Sequence, residues 1–125
     1  MRCYCHSECL YHTCCEPYLK GVSQPNRAVQ LMRSRYTAFC LSQIDYLQQT
    51  SIQDMIIDHS VDWVKLTIIK TQNGAPSDSV GTVEFKAFYM ENQALFVLHE
   101  ESEFIKRKGV WVYASGDSTI TPIGH

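Results

Sequence analysis

The sequence predicts an α+β fold in which helices come first and an antiparallel sheet follows. Before residue 60 the apolar residues recur at helical spacing, and beyond it they alternate with a period of two. Short, hairpin-like connections join the predicted strands, which is typical of an antiparallel meander of about four strands. Helices that precede such a sheet pack on one of its faces.

Two helices are predicted in the first half of the chain. Pro25 and Asn26 are start signals for a helix over residues 26–41, and a shorter helix is expected over residues 43–50. Five apolar side chains gather on one side of the longer helix: Ala28, Leu31, Met32, Tyr36 and Phe39. Residues 52–58 are ambiguous, and we expect a short helix or an irregular turn there.

The second half predicts strands over residues 63–71, 80–91 and 94–106, with a last strand that starts over residues 110–114. Turn signals separate them at Asn73-Gly74, at residues 91–93 and at Lys108-Gly109. In the second strand, alternation places four side chains on one face: Val83, Phe85, Ala87 and Tyr89.

Cysteine is distributed very unevenly, since five of the six cysteines lie in the first fifteen residues. Four of them form a C-x-C pair followed by a C-C pair: Cys3, Cys5, Cys14 and Cys15. Thiols this close together in a polar stretch have few apolar neighbours, so packing does not explain them. One Zn²⁺ held by four thiolates would fold such a loop, and this closed site would be structural because it leaves no position for a substrate.

Alternatives to this zinc site remain open at the level of sequence. A disulfide scaffold usually spreads its cysteines along the chain, and a Cys14–Cys15 bond would close a strained ring. Redox-active thiols are a further alternative. Cys9, His6 or His12 could replace Cys15 as a ligand. No apolar segment follows Met1, so we expect a reduced, cytoplasmic protein.

Composition indicates a globular chain of 125 residues, with 45% hydrophobic and 19% charged residues and a net charge of −2. This balance favours neither nucleic acid nor anionic lipid as a partner, and no apolar run is long enough to span a membrane. We expect a zinc knuckle over residues 1–20 and one α+β domain over residues 21–125. The two parts are expected to be energetically separable, so that zinc removal melts only the knuckle.

Two motifs of this sequence resemble motifs of the YchJ-like proteins. These proteins carry the SEC-C zinc motif, which is also found at the C-terminus of the SecA translocation ATPase. Relatives read C-P-C-G-S, then Y, then C-C, and six residues match in register: Cys3, Cys5, Ser7, Tyr11, Cys14 and Cys15. The segment over residues 31–39, followed by Asp45-Tyr-Leu47, matches the most distinctive stretch of that family. Tyr4 and His6 depart from the motif, where relatives have Pro and Gly.

The resemblance implies a cone-shaped domain similar to nuclear transport factor 2 (NTF2-like), with helices across a curved antiparallel sheet. It implies zinc on the four cysteines, and we expect Ser7 to lie beside them and bond a thiolate. It implies little about activity. A homodimer through the sheet is an open alternative.

Arg35 falls in the middle of the apolar helix face, where its charge needs a partner. Asp45, Glu100 and Glu101 are candidates, with Glu100 the first choice. Either this pair pins helix to sheet, or Arg35 faces the cone cavity and holds an anionic ligand. His99 is a candidate pocket base, although it points to the opposite face from its neighbour Glu100.

No catalytic residue is predicted, because the chain lacks the motifs of common hydrolases, zinc proteases and phosphate-binding loops. The leading hypothesis is a zinc-binding adaptor that docks a protein partner through the knuckle. The alternative is an enzyme or a binder of a small anionic ligand, using the cavity around Arg35.

Overall fold

The computed structural model of this chain describes residues 1–53 and 61–123. Within these residues, a single turn of 3-10 helix at Tyr11–Thr13 is followed by three α-helices and four strands. In chain order they are α1 (Glu16–Leu19), α2 (Ala28–Leu41), α3 (Ile44–Gln49), β1 (Asp62–Asn73), β2 (Val80–Glu91), β3 (Ala94–Arg107) and β4 (Val110–Pro122). The predicted helices and strands are all found. Residues 54–58, which are most of the ambiguous segment, lie outside the described residues.

The strands form one antiparallel sheet in the order β1-β2-β3-β4. The predicted bounds of β2 match the observed bounds, and β4, predicted to start over residues 110–114, continues to Pro122. This extension pairs with β3, since Ser115 lies opposite Glu103 and Ile120 lies opposite Leu98. The polar residues of this extension form a strand because the neighbouring strand supplies the hydrogen bonds.

Irregularities in register curve the sheet. The pairing of β1 with β2 shifts twice, and the pairing of β3 with β4 shifts once, between Glu103 and Phe104. Such bulges bend a strand and increase its twist. The concave face carries the four predicted residues of β2, whose exposed fractions are all 8% or less: Val83, Phe85, Ala87 and Tyr89.

Helix α2 lies across this concave face. At its start, the side-chain oxygen of Gln30 accepts hydrogen bonds from the backbone N–H groups of Asn26 and Arg27. At its end, Ser42 adopts a left-handed conformation with φ 56°. Its buried face meets the sheet in one core, which includes Leu31, Phe104 and Trp111. The predicted NTF2-like α+β arrangement is confirmed.

The N-terminal knuckle belongs to the same packing unit. Cys3, Cys5 and Cys15 are at most 5% exposed and lie in the core cluster with Met32 and Tyr36 of α2. The boundary at residue 20 therefore separates two sequence motifs that share one core. Among the described helices, none is long and apolar enough to cross a membrane.

Candidate metal centre and concave cavity

The backbone of the knuckle folds back on itself over its first eleven residues. The N–H of Cys3 donates to the carbonyl of Cys9 at 2.8 Å, and the N–H of Tyr11 donates to that of Met1 at 3.0 Å. The turn between them places His6 at φ 61° and Glu8 at φ 70°. This left-handed conformation favours glycine, which relatives carry at the position of His6. Here the His6 ring compensates by lying 3.1 Å from the carbonyl oxygen of Val64 on β1.

This turn brings the four predicted cysteine ligands together. Their sulfur atoms all lie within 4.8 Å of one another. The Cys14 sulfur is 3.7 Å from that of Cys5 and 3.9 Å from that of Cys15. Sulfurs around a tetrahedral Zn²⁺, with Zn–S bonds of about 2.3 Å, stand about 3.8 Å apart. The donor set and its spacing therefore fit zinc, and all six cysteines are free thiols rather than disulfides.

The thiols of the cluster compete for protons. Hydrogen bonds from Cys15 and Cys3 lower the pKa of Cys5 far below its usual value. Hydrogen bonds with Cys3 and Cys5 raise the pKa of Cys15, and burial raises that of Cys14 to about 11. The Cys5 thiolate is thus stabilised by neighbouring S–H groups. A divalent cation can take the place of the protons of these thiols.

The other candidate ligands of the knuckle stand apart from this cluster. Cys9, His6 and His12 are exposed, and the described residues that gather into a metal-sized group are the four cysteines. Ser7 is closer, since its hydroxyl lies 3.3 Å from the Cys14 sulfur and accepts the backbone N–H of Cys9 at 3.2 Å. Ser7 therefore lies beside the cluster, and its support of a metal-bound thiolate stays a prediction.

Helix α2 supports the cluster from behind, a contact that the sequence did not predict. The Arg33 guanidinium donates to the carbonyl of Cys5 at 2.8 Å, and the Thr37 hydroxyl lies 3.7 Å from the Cys3 sulfur. Arg33 and Thr37 are four residues apart and so share one helix face. Their spacing was visible in the sequence, but nothing there placed the knuckle against that face.

A second feature is a cavity of about 180 Å³ between α2 and the concave face of the sheet. Its walls are mostly apolar and aromatic, and three polar side chains that are not aromatic also line it. The lining comprises Met32, Arg35, Tyr36, Phe39, Trp63, Phe85, Ala87, Leu98, Glu100, Ser102 and Tyr113. Arg35 and Glu100 are thus brought to one cavity, as the sequence suggested.

Arg35 is 3% exposed and connects α2 to α3. Its guanidinium donates to the carbonyl of Leu47 at 2.9 Å and to the hydroxyl of Thr50 at 2.7 Å. It also lies over the ring of Tyr113, 4.8 Å from the ring centre. Burial lowers the pKa of Arg35 to about 10, while electrostatic interactions with Tyr113, Tyr46 and Glu100 oppose that shift. The group therefore stays charged at neutral pH.

Glu100 is tied to Arg35 through Tyr113. The hydroxyl of Tyr113 donates to Oε2 of Glu100 at 3.0 Å, and the hydroxyl of Ser102 donates to the same oxygen. Ser102 shares the face of Glu100 by simple alternation, so the sequence could have indicated it. Tyr113 lies opposite Phe104, and its contact with Glu100 depends on the pairing of β3 with β4, which spacing along one strand does not give.

His99 lies outside the cavity, on the other face of the sheet. Its Nε2 atom is 2.6 Å from Oε2 of Glu84. Glu101, another candidate partner of Arg35, shares that outer face with His99. Asp45, the third candidate, is exposed and borders a different groove beside Tyr46.

Comparison with known proteins decides the family. The family model for the middle NTF2-like domain of YchJ matches residues 27–116. The chain belongs to the YchJ-like family. A UPF0225 protein of Corynebacterium glutamicum is 39% identical over 121 residues, covering 93% of this chain and 96% of the relative. A UPF0225 protein of Vibrio cholerae is 33% identical over 129 residues, covering 94% and 83%.

Two solved structures show that this YchJ-like chain shares the architecture of SEC-C motif containing proteins. The solution structure of one from Rhodopseudomonas palustris has a TM-score of 0.81 and 31% identity, covering 94% of this chain and 98% of that one. The crystal structure of another, from Psychrobacter arcticus, has a TM-score of 0.77 and 26% identity, covering 92% and 81%. The predicted family is confirmed, with a cysteine cluster that can hold a metal ion.

Proposed function

We propose that this YchJ-like protein binds one structural Zn²⁺ through Cys3, Cys5, Cys14 and Cys15, and that the metal-bound knuckle docks a protein partner. Zinc would hold the loop in one conformation, so that little entropy is lost when a partner binds. The four-sulfur geometry supports the metal, and the surface of the knuckle supports the docking.

One observation carries the docking proposal: the knuckle presents large apolar side chains to solvent while Cys3, Cys5 and Cys15 face the core. Met1, Tyr4 and Leu10 are 72%, 38% and 46% exposed. A loop of this length without a core of its own gains nothing in folding from such exposed side chains. Clusters of exposed apolar groups mark interaction sites.

The charge beside this apolar surface indicates the kind of partner. A groove between the knuckle and β1 is lined by Arg2, Arg33 and Lys65, with Glu8 as its acidic residue. The excess of positive charge favours an acidic segment that also offers apolar side chains. The resemblance to SecA supports this direction, because the SEC-C knuckle of SecA engages a chaperone partner.

The experiment is a quantitative capture of interacting proteins by four forms of the tagged chain. They are the wild type, Cys14→Ser/Cys15→Ser, Tyr4→Ser/Leu10→Ser and a control. The control, Val80→Ser/Ile120→Ser, removes exposed apolar side chains of similar size from the sheet. We expect the wild type and the control to capture the same acidic partner, and both knuckle variants to lose it.

Salt provides a second criterion. Raising the ionic strength should weaken the captured complex, because the basic groove acts through exposed charges. Zinc content measured on the Tyr4→Ser/Leu10→Ser form should remain at one ion per chain, which separates loss of the surface from loss of the metal. If all four forms capture the same proteins, the knuckle is not a docking element.

A further inference from the structure

We propose that the concave cavity binds a small, neutral, planar molecule, whose ring packs among the aromatic walls and whose O–H or N–H group donates to Glu100. This inference is independent of the docking role of the knuckle. It also differs from the anionic ligand that Arg35 alone suggested, because the structure places a carboxylate in the same cavity.

The size and walls of the cavity fit a single ring. Its volume is about 180 Å³, and apolar cavities of about 150 Å³ admit benzene. Trp63 anchors an aromatic wall, with ring centres 6.0 Å from Tyr36 and 5.8 Å from Phe39. Trp63, Phe39 and Leu98 each keep some exposed surface, so that a ligand can reach the cavity along them.

The charge inside the cavity favours a neutral occupant. Arg35 contributes one positive charge and Glu100 one negative charge, and Tyr113 contacts both. An anion would meet the carboxylate of Glu100 in a poorly solvated space, where repulsion is strong. A cation would likewise meet the guanidinium of Arg35. A neutral ligand avoids both penalties.

The hydrogen bonds of Glu100 leave one position for a ligand donor. Ser102 and Tyr113 both donate to Oε2, and among the described residues no group donates to Oε1. An ionised carboxylate can accept at both oxygens. Oε1 is therefore the acceptor that we assign to the ligand.

Tyr36 adds an aromatic ring and a buried hydroxyl to the wall of the cavity. The residue is 2% exposed, and burial raises its pKa above the ordinary value, so the hydroxyl keeps its proton. The Cys40 thiol, one turn further along α2, is close enough to share a hydrogen bond with this hydroxyl. Glu100 is therefore the polar group that we assign to the ligand.

Three probes with the same ring test the proposal: phenol, anisole and benzoate. Phenol carries a donor, anisole lacks it and benzoate is an anion. Each is titrated into the ¹⁵N-labelled protein while the two indole N–H signals are followed. We expect phenol to shift the Trp63 signal. Phenol should also bind at least about tenfold more tightly than anisole, because one hydrogen bond to a charged acceptor contributes that much affinity. The Trp111 signal is the internal control, because its N–H donates to Asn26 outside the cavity.

Two variants localise the binding. In Glu100→Gln the amide oxygen is expected to take the place of Oε2, which turns Oε1 into a donor and removes the preference for phenol over anisole. In Ala87→Leu the added side chain fills the cavity, so that neither neutral probe binds. His99→Ala is the control, because His99 is adjacent to Glu100 in sequence but lies on the opposite face of the sheet. This variant should bind phenol as the wild type does.

The proposal is overturned if benzoate binds more tightly than phenol, if anisole equals phenol, or if no probe shifts Trp63 in a folded protein. Benzoate binding would instead assign the cavity to anions on Arg35. If Ala87→Leu loses phenol binding while its other peaks stay unchanged, the cavity is the binding site. If that variant still binds phenol, the ligand lies elsewhere and the proposal is contradicted.

Discussion

Ser7 acts on the cysteine cluster from outside it. Its hydroxyl is positioned by the backbone N–H of Cys9 and lies 3.3 Å from the Cys14 sulfur. Bonding to a thiolate spreads its negative charge, and groups that support metal ligands typically change metal affinity by about 10–100-fold. The hydroxyl of one serine is thus expected to tune the site without touching the ion.

We predict that Ser7→Ala lowers zinc affinity by about tenfold, because the Cys14 thiolate loses its polar neighbour. Competition with a chromophoric chelator measures this change. Cys9→Ser is the matched control, since Cys9 is an exposed thiol of the same loop. A larger loss in Cys9→Ser than in Ser7→Ala would mean that Cys9 is itself a ligand.

Arg35 joins two secondary-structure elements. It leaves α2, donates to the carbonyl of Leu47 in α3 and to Thr50 just beyond it, and stacks on Tyr113 of β4. Helix α3 is only six residues long, so its position depends on such tertiary contacts more than on its own hydrogen bonds.

We predict that Arg35→Ala lowers the free energy of unfolding by about 2–4 kcal/mol, because buried acceptors lose their donor and the stem of the side chain is lost. Arg35→Met keeps the stem and should cost clearly less. Urea unfolding measures both. The exposed Arg107→Met is the control and should change stability by less than about 0.5 kcal/mol. Equal losses for Met and Ala would show that the packing of the stem contributes nothing.

The knuckle and the cone share one core in the whole molecule. Three knuckle cysteines are buried against α2, and Arg33 bonds the backbone of Cys5. The sequence alone suggested that the two parts would melt separately. The shared core instead favours coupling, since a disordered knuckle would expose part of α2 to water.

We predict that removing zinc with a chelator lowers the temperature of the main thermal transition by at least about 5 °C, the effect of roughly 1 kcal/mol in a chain of this size. Differential scanning calorimetry measures it. The same chelator should leave the transition of Cys14→Ser/Cys15→Ser unchanged. A main transition that stays in place after zinc is lost would support the separable knuckle over residues 1–20.

Local patterns in the sequence were enough for most of the helices and strands and for the cysteine cluster. Alternation in β2 predicted its bounds and its buried face, and the C-x-C and C-C pairs predicted which sulfurs gather. Both depend on neighbours within one strand or one short loop, where spacing along the chain fixes spacing in space.

Only the tertiary structure decided what those elements build together. The polar half of β4 is a strand because β3 pairs with it, and Tyr113 of β4 contacts both Arg35 and Glu100 because α2 packs against this sheet. The knuckle rests on Arg33 and Thr37 because the chain folds back over α2. These contacts join residues far apart in sequence, and no local periodicity encodes a partner that comes from another strand or helix.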